Sequence, residues 1–205
     1  MNQQNKKGTK SNFTFIIFTV IFFVGMSIVF QLQANNAIPK WQLLSGNTIY
    51  NVNEDLSVSY SANILVKAEN EKSFQSLLEG YKKSDLEQKD EFADFLNSQL
   101  AKGTKRTFEV LSFDSNVNSS DLNISVVQTV VVKGFVESIN ENKIKFYLDG
   151  KSMNIDANSE VRVVAPEGWK IEEVYPAPTV KEDSYVLWKN VGQIDFPDVT
   201  MKRIF

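Results

Sequence analysis

The chain contains no cysteine. A disulfide framework is therefore excluded, along with thiolate chemistry and any cysteine-ligated metal centre. The compartment stays open, since many envelope proteins do without cysteine. Histidine is absent as well. It is the one side chain whose unperturbed titration falls between about pH 5 and 8, and it is the commonest metal ligand. Its absence removes Ser-His-Asp hydrolysis, zincin-type metal sites and histidine-based pH sensing together. Clustered lysine and arginine are missing too, and nucleic-acid binding needs them to replace phosphate counterions. Acidic residues are missing from the start of the chain, the first being Glu54.

What remains is an ordinary folded composition. The 205 residues are 42% hydrophobic and 23% charged, enough for one domain with a core that needs no covalent help. Residues 13–32 read FTFIIFTVIFFVGMSIVFQL, without a single charge. A helix of that length spans about 30 Å, the hydrocarbon thickness of a bilayer. Lys6, Lys7 and Lys10 precede it, and the positive-inside rule places the amino terminus in the cytoplasm and the remainder outside. The apolar stretch is longer than a signal-peptide core. The best cut, after Ala34, puts Leu32 where a small residue is wanted, so an uncleaved anchor is expected. No cysteine is present for lipidation. Of the 22 basic residues, removing Lys6, Lys7 and Lys10 leaves 19 against 25 acidic ones, a net charge of −6 outside.

The expected organisation is a cytoplasmic tail (1–12), a transmembrane helix (13–32), a stalk (33–45) and an extracytoplasmic β-rich domain (46–205). Trp41 either sits at the outer headgroup level or begins the domain. Residues 48–52 and 56–67 flank the turn-like Asn53-Glu54-Asp55. Leu56, Val58, Tyr60, Ala62, Ile64 and Val66 alternate with polar residues, broken only by Leu65, which is the period of a half-buried strand, so a hairpin opens the domain. Phe74, Leu77, Leu78 and Tyr81 then follow helical spacing. A second helix starts at Ser84, where Ser84 and Glu87 fit a capping box. Leu86, Phe92, Phe95, Leu96 and Leu100 form its apolar stripe, and Gly103 ends it. Its acidic residues Asp85, Glu87, Asp90, Glu91 and Asp94 read as a solvated face rather than a cation site.

From residue 107 onward strands are expected at 107–113, 122–136, 143–148, 152–155, 159–165, 169–174, 185–188 and 199–203. The valine-dense stretch 126–132 reads as a central strand buried on both faces. Asp149-Gly150 reads as a hairpin turn joining 143–148 to 152–155. The fold class is therefore α+β: an N-terminal transmembrane helix, then a sandwich-like β-rich domain with a two-helix insertion after the first hairpin.

The segments Pro166-Glu167-Gly168-Trp169, Pro176-Ala177-Pro178 and the strand bearing Trp188 follow one another in a distinctive order. With the opening hairpin, the paired helices and Lys105-Arg106-Thr107-Phe108, this order resembles an uncharacterised family of archaeal and bacterial extracytoplasmic domains, over roughly residues 46–203. The resemblance implies an address and a fold, and no activity. In some relatives the domain precedes a membrane helix and a cytoplasmic winged helix, an arrangement that implies sensing. Here the apolar segment comes first and is preceded by only a short tail. Trp169 and Trp188 are read as core residues rather than a ligand platform.

Candidate chemistry is sparse. Asp114, Asn116 and Asn118 match the first half of a calcium loop, but Ser125 occupies the place of the bidentate glutamate and Ser119 that of the glycine, so an interstrand turn is expected. Asn118-Ser-Ser120 and Asn123-Ile-Ser125 are glycosylation sequons on the outer side. Paired carboxylates and a serine–lysine dyad lack any local motif. No catalytic, cofactor-binding or metal residue is assigned, and a non-enzymatic role is expected. The expected partners are the membrane, through residues 13–32, and another envelope protein or a glycan, with no nucleic acid. A structural or accessory envelope role is the alternative, and a carboxylate-dependent hydrolase a distant third.

Overall fold

A computed structural model describes residues 40–81 and 83–204. The expected tail, the transmembrane segment 13–32 and most of the stalk lie outside them. Among the described residues no helix is long and apolar enough to cross a membrane.

Strands β1 (Trp41–Val52) and β2 (Ser57–Ala68) form the opening antiparallel hairpin. Its turn is fixed by Asp55, whose carboxylate accepts from the Ser57 N–H (3.0 Å) and hydroxyl (2.6 Å), with Leu56 at a φ of 65°. Asn70 caps α1 (Glu71–Gly80) by accepting from the Ser73 N–H at 2.9 Å. Helix α2 (Asp85–Phe95) carries the expected Ser84–Glu87 capping box. A π-helical turn at Leu96–Leu100 follows, its closing bond running from the Ala101 N–H to the Leu96 carbonyl at 2.8 Å, and Leu96 and Leu100 are both buried.

Next come β3 (Glu109–Ser120) and β4 (Asn123–Lys133), paired around a turn at Asp121. The remaining strands are β5 (Val136–Asn140), β6 (Lys143–Phe146), β7 (Ser152–Ile155), β8 (Ser159–Val164), β9 (Trp169–Tyr175), β10 (Val180–Lys181), β11 (Tyr185–Lys189), β12 (Gly192–Asp195) and β13 (Asp198–Arg203).

Three sheets result. A seven-stranded sheet has the order β10-β11-β8-β1-β2-β4-β3, a four-stranded sheet β5-β6-β13-β9, and a two-stranded sheet β12-β7. The large sheet is mixed, because β1 and β8 run parallel while its other pairs are antiparallel. One face of it is covered. There Tyr50 of β1 meets Phe146 of β6 at 5.3 Å between ring centroids, and Phe135 and Phe196 complete the aromatic cluster. At the other side of the same face α1 packs on β2 and β4, and α2 on β3, with Phe92 5.9 Å from Phe113. Burying each such ring contributes about 1.5–3 kcal/mol, and favourable ring pairs add about 1 kcal/mol.

Several expectations are corrected. Strand β1 starts at Trp41, inside the expected stalk; Trp41 pairs with Ala68 and so begins the domain. The run 122–136 is two strands, because the chain turns at Gly134, whose φ is 117°. The valine-rich strand is not buried on both faces: Val126, Gln128, Val130 and Val132 point inward, while Val127 is 39% exposed and Thr129 is exposed. Asp149-Gly150 is a turn, with Gly150 at a φ of 65°, but it joins no hairpin. Instead β6 pairs with β5 and β13, and β7 with β12, so the turn carries the chain from one sheet to another. Leu86 is 67% exposed. It lies six residues before Phe92, and at about 100° per residue that turns it away from the buried stripe. Strands β10 and β12 lie in segments expected as loops.

Candidate functional site

Two features of this fold stand ready for a ligand or partner: a polar cleft at one end of the large sheet, and that sheet's uncovered face.

The cleft, about 590 Å³, lies between the loop that follows the π-turn and the β5–β6 hairpin. Arg106 organises it. Its Nη1 donates to the Gly134 carbonyl at 2.7 Å, its Nη2 stands 3.4 Å from the Glu137 Oε2, and its guanidinium lies 4.0 Å from the centroid of the Tyr147 ring. The Tyr147 hydroxyl donates to the same Glu137 oxygen. Lys145 also stands over the Tyr147 ring, at 4.6 Å, and pairs with Asp198 at 2.8 Å. The loop approaches closely because residue 134 is glycine. A Cβ there would lie 2.6 Å from the Thr107 carbonyl oxygen and 2.7 Å from the Phe108 ring. Thr104 tightens the loop, accepting from the Arg106 N–H at 3.2 Å and donating to the Ala101 carbonyl at 2.8 Å.

The electrostatics keep Tyr147 and Lys145 protonated. The bond to the Glu137 carboxylate, with some desolvation, raises the Tyr147 phenol above its ordinary value, so it stays protonated at neutral pH. The bond to Asp198 raises Lys145 likewise. Nearby Lys151 donates to the Gln99 and Lys102 carbonyls, each at 2.9 Å, and burial lowers its pKa. Arg106, Glu137 and Tyr147 are thus engaged with one another, while Lys105, Thr107 and Asp149 at the rim are exposed.

The second feature is the uncovered sheet face. Residues opposite the buried rows are half-buried or exposed throughout. Register aligns Asn47 with Asn63, Val127 and Asn116, and Ile49 with Ser61, Thr129 and Asp114. The result is a broad face of amide and hydroxyl groups interspersed with Ile49, Leu65 and Val127, which also carries Asp114 at its β3 edge and, on β8 and β11, Glu160, Arg162 and Lys189.

The residues singled out from sequence fall elsewhere. Asp114, Asn116 and Asn118 lie on the regular strand β3 rather than in a loop, and among the described residues no group of three or more acidic side chains is placed to hold a metal ion. Asn118 is exposed and Asn123 half-buried, facing Ser120 across the hairpin. On α2, Asp85, Glu87, Asp90 and Asp94 are exposed, and Glu91 pairs with Lys83. Trp188 is fully buried, donating from Nε1 to the Pro176 carbonyl at 3.1 Å, and Trp169 is buried beside the Arg203 guanidinium. Pro166 accepts from the Trp169 N–H at 3.1 Å around Gly168, a tight turn. Sequence reasoning assigned no role to Arg106, although it lies in the Lys105-Arg106-Thr107-Phe108 segment. Glu137 and Tyr147 give no local signal, because only the β5–β6 hairpin and the chain beyond it bring them together.

No curated protein matches the sequence. A family match, in contrast, covers every strand from β1 to β13 in whole or in part. The chain belongs to the family described as a domain of unknown function (DUF4897), over residues 42–202.

Proposed function

We propose that the protein is a membrane-tethered binding module of the cell envelope, with residues 13–32 spanning the membrane, residues 1–12 in the cytoplasm and the β-rich domain outside. An archaeal or bacterial, membrane-anchored character of the family is part of this reading. The observation that carries it is the seven-stranded sheet covered on one face only, its other face rich in short amide and hydroxyl side chains across β1, β2, β4 and β3, with the Glu160–Lys189 pair and Arg162 towards β11. Such a face offers donors and acceptors from uncharged and charged groups together, and suits an envelope protein or a glycan.

The direction of β1 supports the same reading. Strand β1 starts at Trp41, nine residues beyond the anchor segment in sequence, and its 12 residues run about 40 Å to the far end. Gly134 and the cleft lie at that far end, next to Lys133, which pairs with Ser57. The start of the domain and the cleft therefore occupy opposite ends of the sheet. The reading is non-enzymatic: the cleft holds Tyr147 as a phenol and ties Arg106 and Glu137 to each other.

Lysine crosslinking of intact cells with a membrane-impermeant reagent tests it. One recurrent envelope partner joined through the β-rich domain is the expected result. Crosslinks only between copies of the chain would move the assignment to a structural component, and lysines that react only after lysis would refute the outer placement.

A further inference from the structure

The two edges of the large sheet are unlike. At one edge β10 is two residues long, ends in Lys181 and follows Pro176 and Pro178, three features that discourage further pairing. At the other edge β3 is 12 residues long and has neither proline nor lysine. Its first part is occupied. Helix α2 lies against it, Lys89 Nζ donates to the Leu111 carbonyl at 3.1 Å, Asn97 bonds both the N–H and the carbonyl of Phe108, and a bulge interrupts the register between Val110 and Ser112. Beyond Asp114 the register to β4 is regular as far as Ser120, and no described strand pairs with the outer side. A regular strand with its outer N–H and C=O groups in water is a template for one more strand.

We propose that residues 114–120 of β3 receive an extended segment of a different protein, one carrying lysine or arginine. This rests on the binding-module reading and names the partner class. The charge around the edge selects the occupant. Residues 115–120 are uncharged, and the flanks carry an acidic excess over Lys89 and Lys133: Glu109, opposite Lys133, and Asp114 on the strand itself, and on α2 Asp85, one turn from Lys89 on the same side, with Asp90 beside it. All four acidic residues are exposed, and none has an ion-pair partner among the described residues. A second copy of this chain would bring the same acidic helix against itself, and antiparallel pairing of two β3 strands would point the two tethers in opposite directions. A basic strand gains ladder hydrogen bonds and charge complementarity together.

The test places a photoreactive residue at Asn116 of the full-length protein in its native cells, and a second one, in a separate variant, at Asn47 on the open face. The expected result is a crosslink at Asn116 to one partner, mapped to a segment rich in lysine or arginine. That crosslink is lost when Asn118→Lys and Asp114→Lys are introduced, and weakens as ionic strength rises. Crosslinking at Asn47 alone, or at Asn47 and Asn116 together to one partner, would place the partner on the open face and overturn the edge proposal while leaving the binding module standing. Crosslinking at neither position overturns the edge proposal and counts against the module itself. A crosslink at Asn116 to a second copy of the chain, or to a neutral or acidic segment, overturns the assigned occupant. Both photoreactive positions and both lysine substitutions are on exposed side chains, so the fold is preserved in every variant, which circular dichroism checks.

Discussion

Gly134 is where the fold and the cleft depend on one missing atom. In Gly134→Ala the new Cβ meets two kinds of neighbour. The Thr107 oxygen at 2.6 Å and the Phe108 Cα at 3.2 Å are backbone, and the Phe108 ring at 2.7 Å is held in the core, 4.9 Å from Phe135. None of them can rotate aside. The φ of 117° adds strain that any side chain would feel, about 1–3 kcal/mol. Overpacking against fixed neighbours costs about 1–3 kcal/mol more. Together they give a loss of about 3 kcal/mol or more. Gly150→Ala is the matched control: its φ of 65° is also positive, but nothing lies within 4 Å of the new Cβ, leaving only the left-handed cost of about 1–2 kcal/mol. Urea unfolding followed by tryptophan fluorescence reads both variants, with an unchanged slope expected if only the native state is affected. Because the Gly134 carbonyl accepts from Arg106, the same variant loosens the guanidinium from the Tyr147 ring. Equal losses in the two variants would refute the close-approach argument.

Other outcomes follow from the same geometry. Ser84→Ala removes the α2 cap and costs about 1 kcal/mol. The capping bonds hold Glu87 below the ordinary glutamate value of 4.5, so their contribution is complete above that pH and fades as pH falls below it. The variant therefore loses less stability on acidification than the parent, as parallel urea series at neutral and acid pH will show. Glu137→Gln lowers the Tyr147 pKa towards 10, which ring-carbon NMR reads directly. The sign is that of a raised group: the stabilisation is whole below pH 10 and lost as pH rises through the folded-state value, and it is smaller in the variant. Phe146→Ala, at the centre of the aromatic cluster, costs about 3–5 kcal/mol in thermal or urea unfolding; a loss under about 1 kcal/mol would mean the two sheets do not meet there.

Much of the β-rich domain was legible because its signals are local. The alternation from Val58 to Val66 specified β2 and its buried side, and Ser84 with Glu87 marked the start of α2. What failed depends on distant partners. Asp149-Gly150 has the chemistry of a tight turn and makes one, yet a turn cannot report that the strands it joins belong to different sheets. The valine density of β4 suggested burial on both faces, whereas Gln128 lies buried and Val127 exposed, because strand parity and not composition decides which side meets the core. The cleft was illegible for the same reason. Arg106 reaches Glu137 and Tyr147 only after the loop, Gly134 and the β5–β6 hairpin are in place.

The absence of cysteine makes the central claim directly measurable, since any thiol introduced is unique. Glu167→Cys, exposed in the turn between β8 and β9, and Gln4→Cys, before the apolar segment, are treated in intact cells with a membrane-impermeant maleimide. The account predicts labelling at residue 167 before lysis and at residue 4 only after it. Labelling of residue 4 in intact cells, or protection of residue 167 until the membrane is opened, would contradict an anchored module that faces out of the cell.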